Sequence, residues 1–172
     1  MEILRKETLE QIPRCKEEQR ILEAQGYSEG LESAKLAIKY EVFLNSIYCL
    51  CENISQVTRY LFRPNANLPI GFNKQKVFFL KHSIIDAAYS ATLKETFWYD
   101  EVHGMRTEAT HYLSGFVVNP SVTGFGYFNI PKSEKADASQ KIEVDDIEGH
   151  VNQLFANVIA FVLLWKYNAK VS

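Results

Sequence analysis

Cysteine is scarce in this 172-residue chain, which has three: Cys15, Cys49 and Cys51. An odd count without a C-x-x-C spacing fits no disulfide framework and points to buried, reduced thiols. The sequence also lacks a glycine-rich phosphate loop, a G-x-S-x-G elbow and a Walker pattern, so most familiar enzyme classes find no support in it. The N-terminus, MEILRKETLEQ, is charged throughout and holds no apolar signal core. Long hydrophobic runs are missing as well. The strongest, Leu154 to Trp165, is twelve residues interrupted by Asn157. That is short for a bilayer and is expected to form a buried helix, so the expectation is a cytoplasmic chain that spans no membrane.

Charge of one sign is locally absent. The net charge is only −2, which argues against a dedicated high-affinity nucleic-acid binder. Between Glu52 and Asp86, however, there is no acidic residue, while Arg59, Arg63, Lys74, Lys76 and Lys81 all fall there. Such a segment is either a basic surface for a polyanion, RNA included, or a solvated face. Glu143, Asp145, Asp146 and Glu148 form an acidic counterpart.

Aromatic residues are abundant: eleven Phe, nine Tyr and two Trp predict a core rich in rings. The length fits one domain. Residues 1–25 form a charged N-terminal helix in composition, with Pro13 tolerable only near its start and Gly26 at its end. A long helix follows from Ser28 to Phe62, its stripe made by Leu36, Tyr40, Phe43, Ile47, Leu50, Ile54, Val57 and Leu61. A third spans Asn73 to Thr96, with one face from Val77, Leu80, Ile84, Ala87 and Ala91. Asp100 is a candidate N-cap for a fourth helix ending near Ser114-Gly115. FVV, NPSVTG and FGYFNIP within 116–130 read as a β-hairpin. Disorder is expected only at the termini and near residues 131–142; after a polar loop, Asp145 or Asp146 starts a last helix through Val151, Leu154, Val158, Phe161, Val162 and Trp165. The fold class is therefore all-α, a bundle of about five helices with a small hairpin before the last one.

The segment YDEVHGMRTEATHYLSGF carries the chemistry. Arg106 and His111 stand with four residues between them on a helix. Arginine is a permanent cation whose planar fork suits phosphate, and histidine exchanges protons near neutrality. Residues five apart on a helix differ by about 140° around its axis, so the two flank a face rather than share a stripe. They converge on one phosphate if that face borders a groove, as a two-fold axis would supply. Thr107, one turn before His111, can orient the imidazole or bond its own backbone. His103 lies toward the same edge or is simply a surface histidine. Tyr112 and Tyr99 are candidates for base stacking or for packing. Glu108 and His111 make a single E-x-x-H; a di-iron site needs a second pair, and none exists, so no metal or other cofactor is expected. His82, Glu148 and His150 read as structural or solvated.

The order of elements and R-T-E-A-T-H at 106–111 resemble the HEPN superfamily of small all-α proteins, across most of residues 28–168. The resemblance implies one HEPN-like domain over 1–172, with 116–130 as an insertion. It implies a dimeric, metal-independent endoribonuclease of the kind found in toxin–antitoxin, CRISPR-linked and phage-defence systems, with an antitoxin or other protein as a further partner. By position, Arg106 would stabilise the phosphate and His111 would act as the acid–base group. Where the family usually carries Asn, Asp or His after the arginine, this chain has Thr107. That departure keeps a second reading open: a catalytically silent HEPN-like module that binds a protein or nucleotide.

Overall fold

The computed structural model describes residues 1–25, 30–61, 67–82, 86–111, 115–121, 124–128 and 142–168; residues 108–111, 116, 118–121, 142–143 and 168 are described by their backbone alone. Among the described residues there are six helices: α1 (Glu2–Gln25), α2 (Leu31–Leu61), α3 (Phe72–Lys81), α4 (Ala87–Lys94), α5 (Phe97–His111) and α6 (Ile147–Asn168). Three strands, β1 (Phe116–Ser121), β2 (Gly124–Phe128) and β3 (Ile142–Val144), form an antiparallel sheet in the order β1-β2-β3. The chain is thus predominantly helical, and the expected hairpin is present with Phe116 opposite Phe128 and Val117 opposite Tyr127. The third strand is an addition, since the sequence predicts only the hairpin. Gly26, Ser28, Phe62, Ile84, Ser114 and the stretch 131–141 lie outside the described residues.

The chain divides into two compact units, Met1–Asn45 with Gly104–Phe155, and Ser46–His103 with Ala156–Ser172. In the first, α1 docks on the start of α2 through buried Thr8, Gln11, Ile12 and Cys15. Gln11 Nε2 donates to the Glu32 carbonyl and carboxylate at 3.2 and 2.6 Å. The Glu18 carboxylate accepts from the Glu32 and Ser33 backbone N–H groups at 2.8 and 3.2 Å, satisfying donors that the first turn of α2 cannot bond internally. Pro13 sits inside α1, not near its start. It lies on the exposed side, where water is at hand for the carbonyl whose intrahelical donor the ring removes.

The second unit is built on rings. Phe72 meets Tyr99 and Phe161 edge-on, at centroid distances of 4.6 and 5.5 Å, and Phe79 meets Tyr89 at 4.8 Å. Glu52 Oε1 accepts from Tyr99 Oη and from the Phe72 backbone N–H, each at 3.2 Å. The second contact ties the start of α3 to α2, where Gly71 holds φ +92°, a conformation that costs other residues.

Three expectations change here. The single helix over 73–96 is two helices: Asp86 Oδ1 accepts from the Tyr89 N–H at 2.7 Å and starts α4 anew. The expected face of Val77, Leu80, Ala87 and Ala91 is exposed, and Phe72, Gln75, Lys76 and Phe79 are buried instead. Rings remove more area from water than Val or Leu, so the helix turns them inward. On α2, Leu36, Tyr40, Phe43, Ile47 and Ile54 are buried as the stripe requires, but Leu50 is half-buried and Val57 and Leu61 are exposed.

Cys15 and Cys51 are buried, whereas Cys49 is exposed, contrary to the expectation of three buried thiols. Burial pushes the thiol of Cys15 up to about 11 and that of Cys51 up to about 12. An unfolded thiol ionises near pH 8.5. The stability these groups contribute is therefore complete below about pH 8.5 and is lost as pH rises toward 11 to 12. A thiol-reactive chromophore at pH 8 should label Cys49 rapidly and all three cysteines only after denaturation. Urea midpoints should fall between about pH 9 and pH 11 and be flat between about pH 7 and pH 8.

Candidate active site

Helix α5 begins at Phe97, and Asp100 therefore does not cap it. Asp100 Oδ2 instead holds Lys76 Nζ at 2.7 Å, and the same ammonium donates to the Thr96 carbonyl at 3.1 Å. Lys76, expected in a basic RNA-facing set, is consequently buried and committed within its own unit. Arg59, Lys74 and Lys81 are exposed, and Arg63 lies outside the described residues.

Tyr99 is fully buried, which removes it as a platform for a base. His103 is half-buried with its ring 5.8 Å from Tyr48 and 5.9 Å from Tyr99, a packing role rather than an open edge. His82 is exposed and closes α3, its N–H donating to the Phe78 carbonyl at 2.9 Å.

In the other unit, Arg106 and Thr107 stand half-buried on the last turns of α5, and His111 is its final residue. The helix thus carries Arg106 and His111 at the expected spacing. Glu108 belongs to the same turns by its backbone, and Tyr112 lies outside the described residues.

What holds this end of α5 was invisible to pattern reading. Met105, the residue before Arg106, is buried with Sδ 3.9 Å from Tyr40 Oη. Tyr40 Oη also lies 2.5 Å from His150 Nδ1 on α6, so His150 is a half-buried partner of a buried phenol and not a solvated residue. Glu148 is exposed, as expected. The Tyr40 ring meets that of Tyr127 on β2 edge-on at 5.0 Å. Tyr127 Oη donates to Glu41 Oε1 at 2.6 Å, and the Gly115 N–H donates to the same oxygen at 2.9 Å.

Gly115 is the first described residue after α5, and its neighbours admit no side chain. A Cβ there would collide with the Phe128 carbonyl and the Tyr127 ring. The carboxylate of Glu41 therefore anchors the entry into the sheet. The only sequence signal for this network is a tyrosine next to a glutamate on a helical stripe, which is too common to single out.

No protein-family model, curated protein or solved structure matches this chain.

Removing the Tyr127 hydroxyl deletes a hydrogen bond to a carboxylate and leaves Glu41 with the Gly115 N–H as its remaining described donor. Tyr127→Phe should lower stability by about 1.5–3 kcal/mol, read as a reduced urea midpoint with an unchanged slope.

Proposed function

We propose that the chain is a metal-independent endoribonuclease of the HEPN type, working as a homodimer in the cytoplasm, in a toxin–antitoxin or phage-defence setting. The observation that carries this reading is the placement of Arg106 and His111 on one helix, five residues apart, with Arg106 half-buried. A half-buried guanidinium has fewer conformations to lose on binding phosphate than a free surface arginine.

In this reading His111 accepts the proton of a ribose 2′-OH. The freed oxygen attacks the adjacent phosphorus while the bond from phosphorus to the 5′ oxygen breaks. The departing oxygen takes a proton from the second histidine of the dimer. Arg106 offsets the charge that grows on the non-bridging oxygens. The products are a 2′,3′-cyclic phosphate and a 5′-hydroxyl, and DNA, lacking the 2′-OH, is inert.

One observation favours the second reading, a catalytically silent binding module. Lys76 is locked against Asp100, which leaves fewer basic side chains for a polyanion than the sequence contains. Thr107 after the arginine points the same way.

The test is cleavage of a structured RNA in EDTA by wild type, Arg106→Ala and His111→Ala, with single-stranded DNA as control. The nuclease reading expects cyclic-phosphate ends from wild type and a loss of about 10²-fold or more in each variant. Equal cutting by all three, or none by wild type, contradicts it.

A further inference from the structure

The run from Leu154 to Trp165 is only in part the buried helix that its sequence predicts. Leu154, Val158 and Phe161 are buried, whereas Ile159, Leu163 and Leu164 are exposed. By length and composition α6 is also apolar enough to cross a membrane. Where this helix passes the junction of α4 and α5, the second unit leaves a cavity of about 170 Å³. Its lining includes Thr92, Glu95, Thr96, Phe97, Trp98 and Phe161. Sites for drug-sized ligands start at about 300 Å³, so this one takes a guest of a few heavy atoms.

We propose that this cavity binds a quaternary ammonium head group of the choline kind. Charge, rings and hydrogen-bonding capacity all select that class. Glu95 is the only charged residue in the lining, and its carboxylate makes no hydrogen bond or ion pair among the described residues. The buried ammonium of Lys76 reaches the Thr96 carbonyl but is matched by Asp100 at 2.7 Å, so the local balance stays negative. Trp98 and Phe161 are only 4% and 3% exposed, with centroids 6.1 Å apart and planes inclined at 67°. They form a fixed corner that one small cation can reach on both walls, and a cation within about 6 Å of a ring centroid is attracted to the ring. Because both rings are already held, little freedom is lost on binding. Phe97, 70% exposed, adds a third ring at the rim. Thr92 Oγ1 donates to the Ala88 carbonyl at 3.0 Å and Thr96 Oγ1 to the Leu93 carbonyl at 2.7 Å. With their protons committed, these hydroxyls offer a guest lone pairs only, which disfavours a carboxylate or phosphate.

Other guests fit less well. Among the described residues no group of three His, Cys, Asp or Glu side chains is placed to hold a metal ion. A neutral apolar guest would cover the Glu95 carboxylate without pairing it. A primary ammonium is strongly hydrated and gives up more on meeting a wall of rings than a quaternary one does.

The site is independent of the nuclease reading: it uses neither Arg106 nor His111, and its binding is read without RNA. Choline chloride titrated at constant ionic strength into the isotope-labelled full chain should shift the Trp98 indole resonance and the amides of residues 95–98, with a Kd on the order of 1 mM. The neutral tert-butyl analogue of choline, which has the same shape without the charge, should bind at least about fivefold more weakly. Glu95→Gln and Phe97→Ala alter exposed side chains and should leave the circular-dichroism spectrum unchanged. Each should weaken choline binding at least about threefold, and Glu95→Gln should not affect the neutral analogue. Phosphatidylcholine vesicles distinguish the source of the head group: sedimentation with vesicles that Glu95→Gln reduces assigns a lipid, and choline shifts without it assign a free molecule. Absence of shifts with choline overturns the proposal. So does equal affinity for the neutral analogue, or a Glu95→Gln variant that binds choline as wild type does.

Discussion

The hydroxyl of Tyr40 is the interaction on which the first unit depends. Tyr40 is fully buried in the middle of α2, and burying a phenol is tolerable only if its oxygen finds partners. Those partners come from two other elements: His150 on α6 and the Met105 sulfur on α5. Its ring adds a third, Tyr127 on the sheet. One side chain thereby fixes the turn of α5 that precedes Arg106. The adjacent residue, Glu41, does the complementary work by binding Tyr127 and the Gly115 N–H where the chain enters β1. The proposed chemistry needs an arginine held in place, and these two neighbours on α2 fasten the elements around it.

The second unit follows the same rule with different groups. Gln75, fully buried, gives its amide donors to the carbonyls of Ser55 and Pro69 at 2.8 and 3.0 Å. Ser90 Oγ reaches the Phe79 carbonyl at 3.1 Å, and Trp165 Nε1 donates to Thr58 Oγ1 at 3.0 Å. Buried Lys76 is neutralised by Asp100, whose carboxylate stays largely in water. Such a half-exposed pair escapes most of the desolvation cost that a fully buried one carries. The rings supply the burial, and these polar contacts satisfy the buried donors and acceptors between them.

Much of the helical architecture was legible because it rests on local rules. The α2 stripe from Leu36 to Ile54, the hairpin at 116–128 and the start of α6 after Asp146 all follow from periodicity, turn residues and capping. Asp146 Oδ1 indeed accepts from the Glu148 N–H at 3.1 Å. Three things were not legible. The break between α3 and α4 turns on one capping bond at Asp86 that competes with helix propagation. The inward face of α3 is decided by partners outside the helix, Tyr99 and Phe161 for Phe72 and Tyr89 for Phe79. The partners of His150 and Lys76 are 110 and 24 residues distant, so neither histidine nor lysine could be placed from its neighbours. In the candidate site, the spacing of Arg106 and His111 was legible, whereas the Tyr40 and Glu41 contacts around it were not.

If Tyr40 is the tie between α2 and α6, its hydroxyl and His150 must be energetically coupled. A double-mutant cycle of Tyr40→Phe and His150→Gln, followed by urea unfolding, tests this directly. The account predicts that the second substitution costs at least about 1 kcal/mol less once the first is present. Additivity within about 0.3 kcal/mol would contradict it and leave the buried phenol without its assigned role.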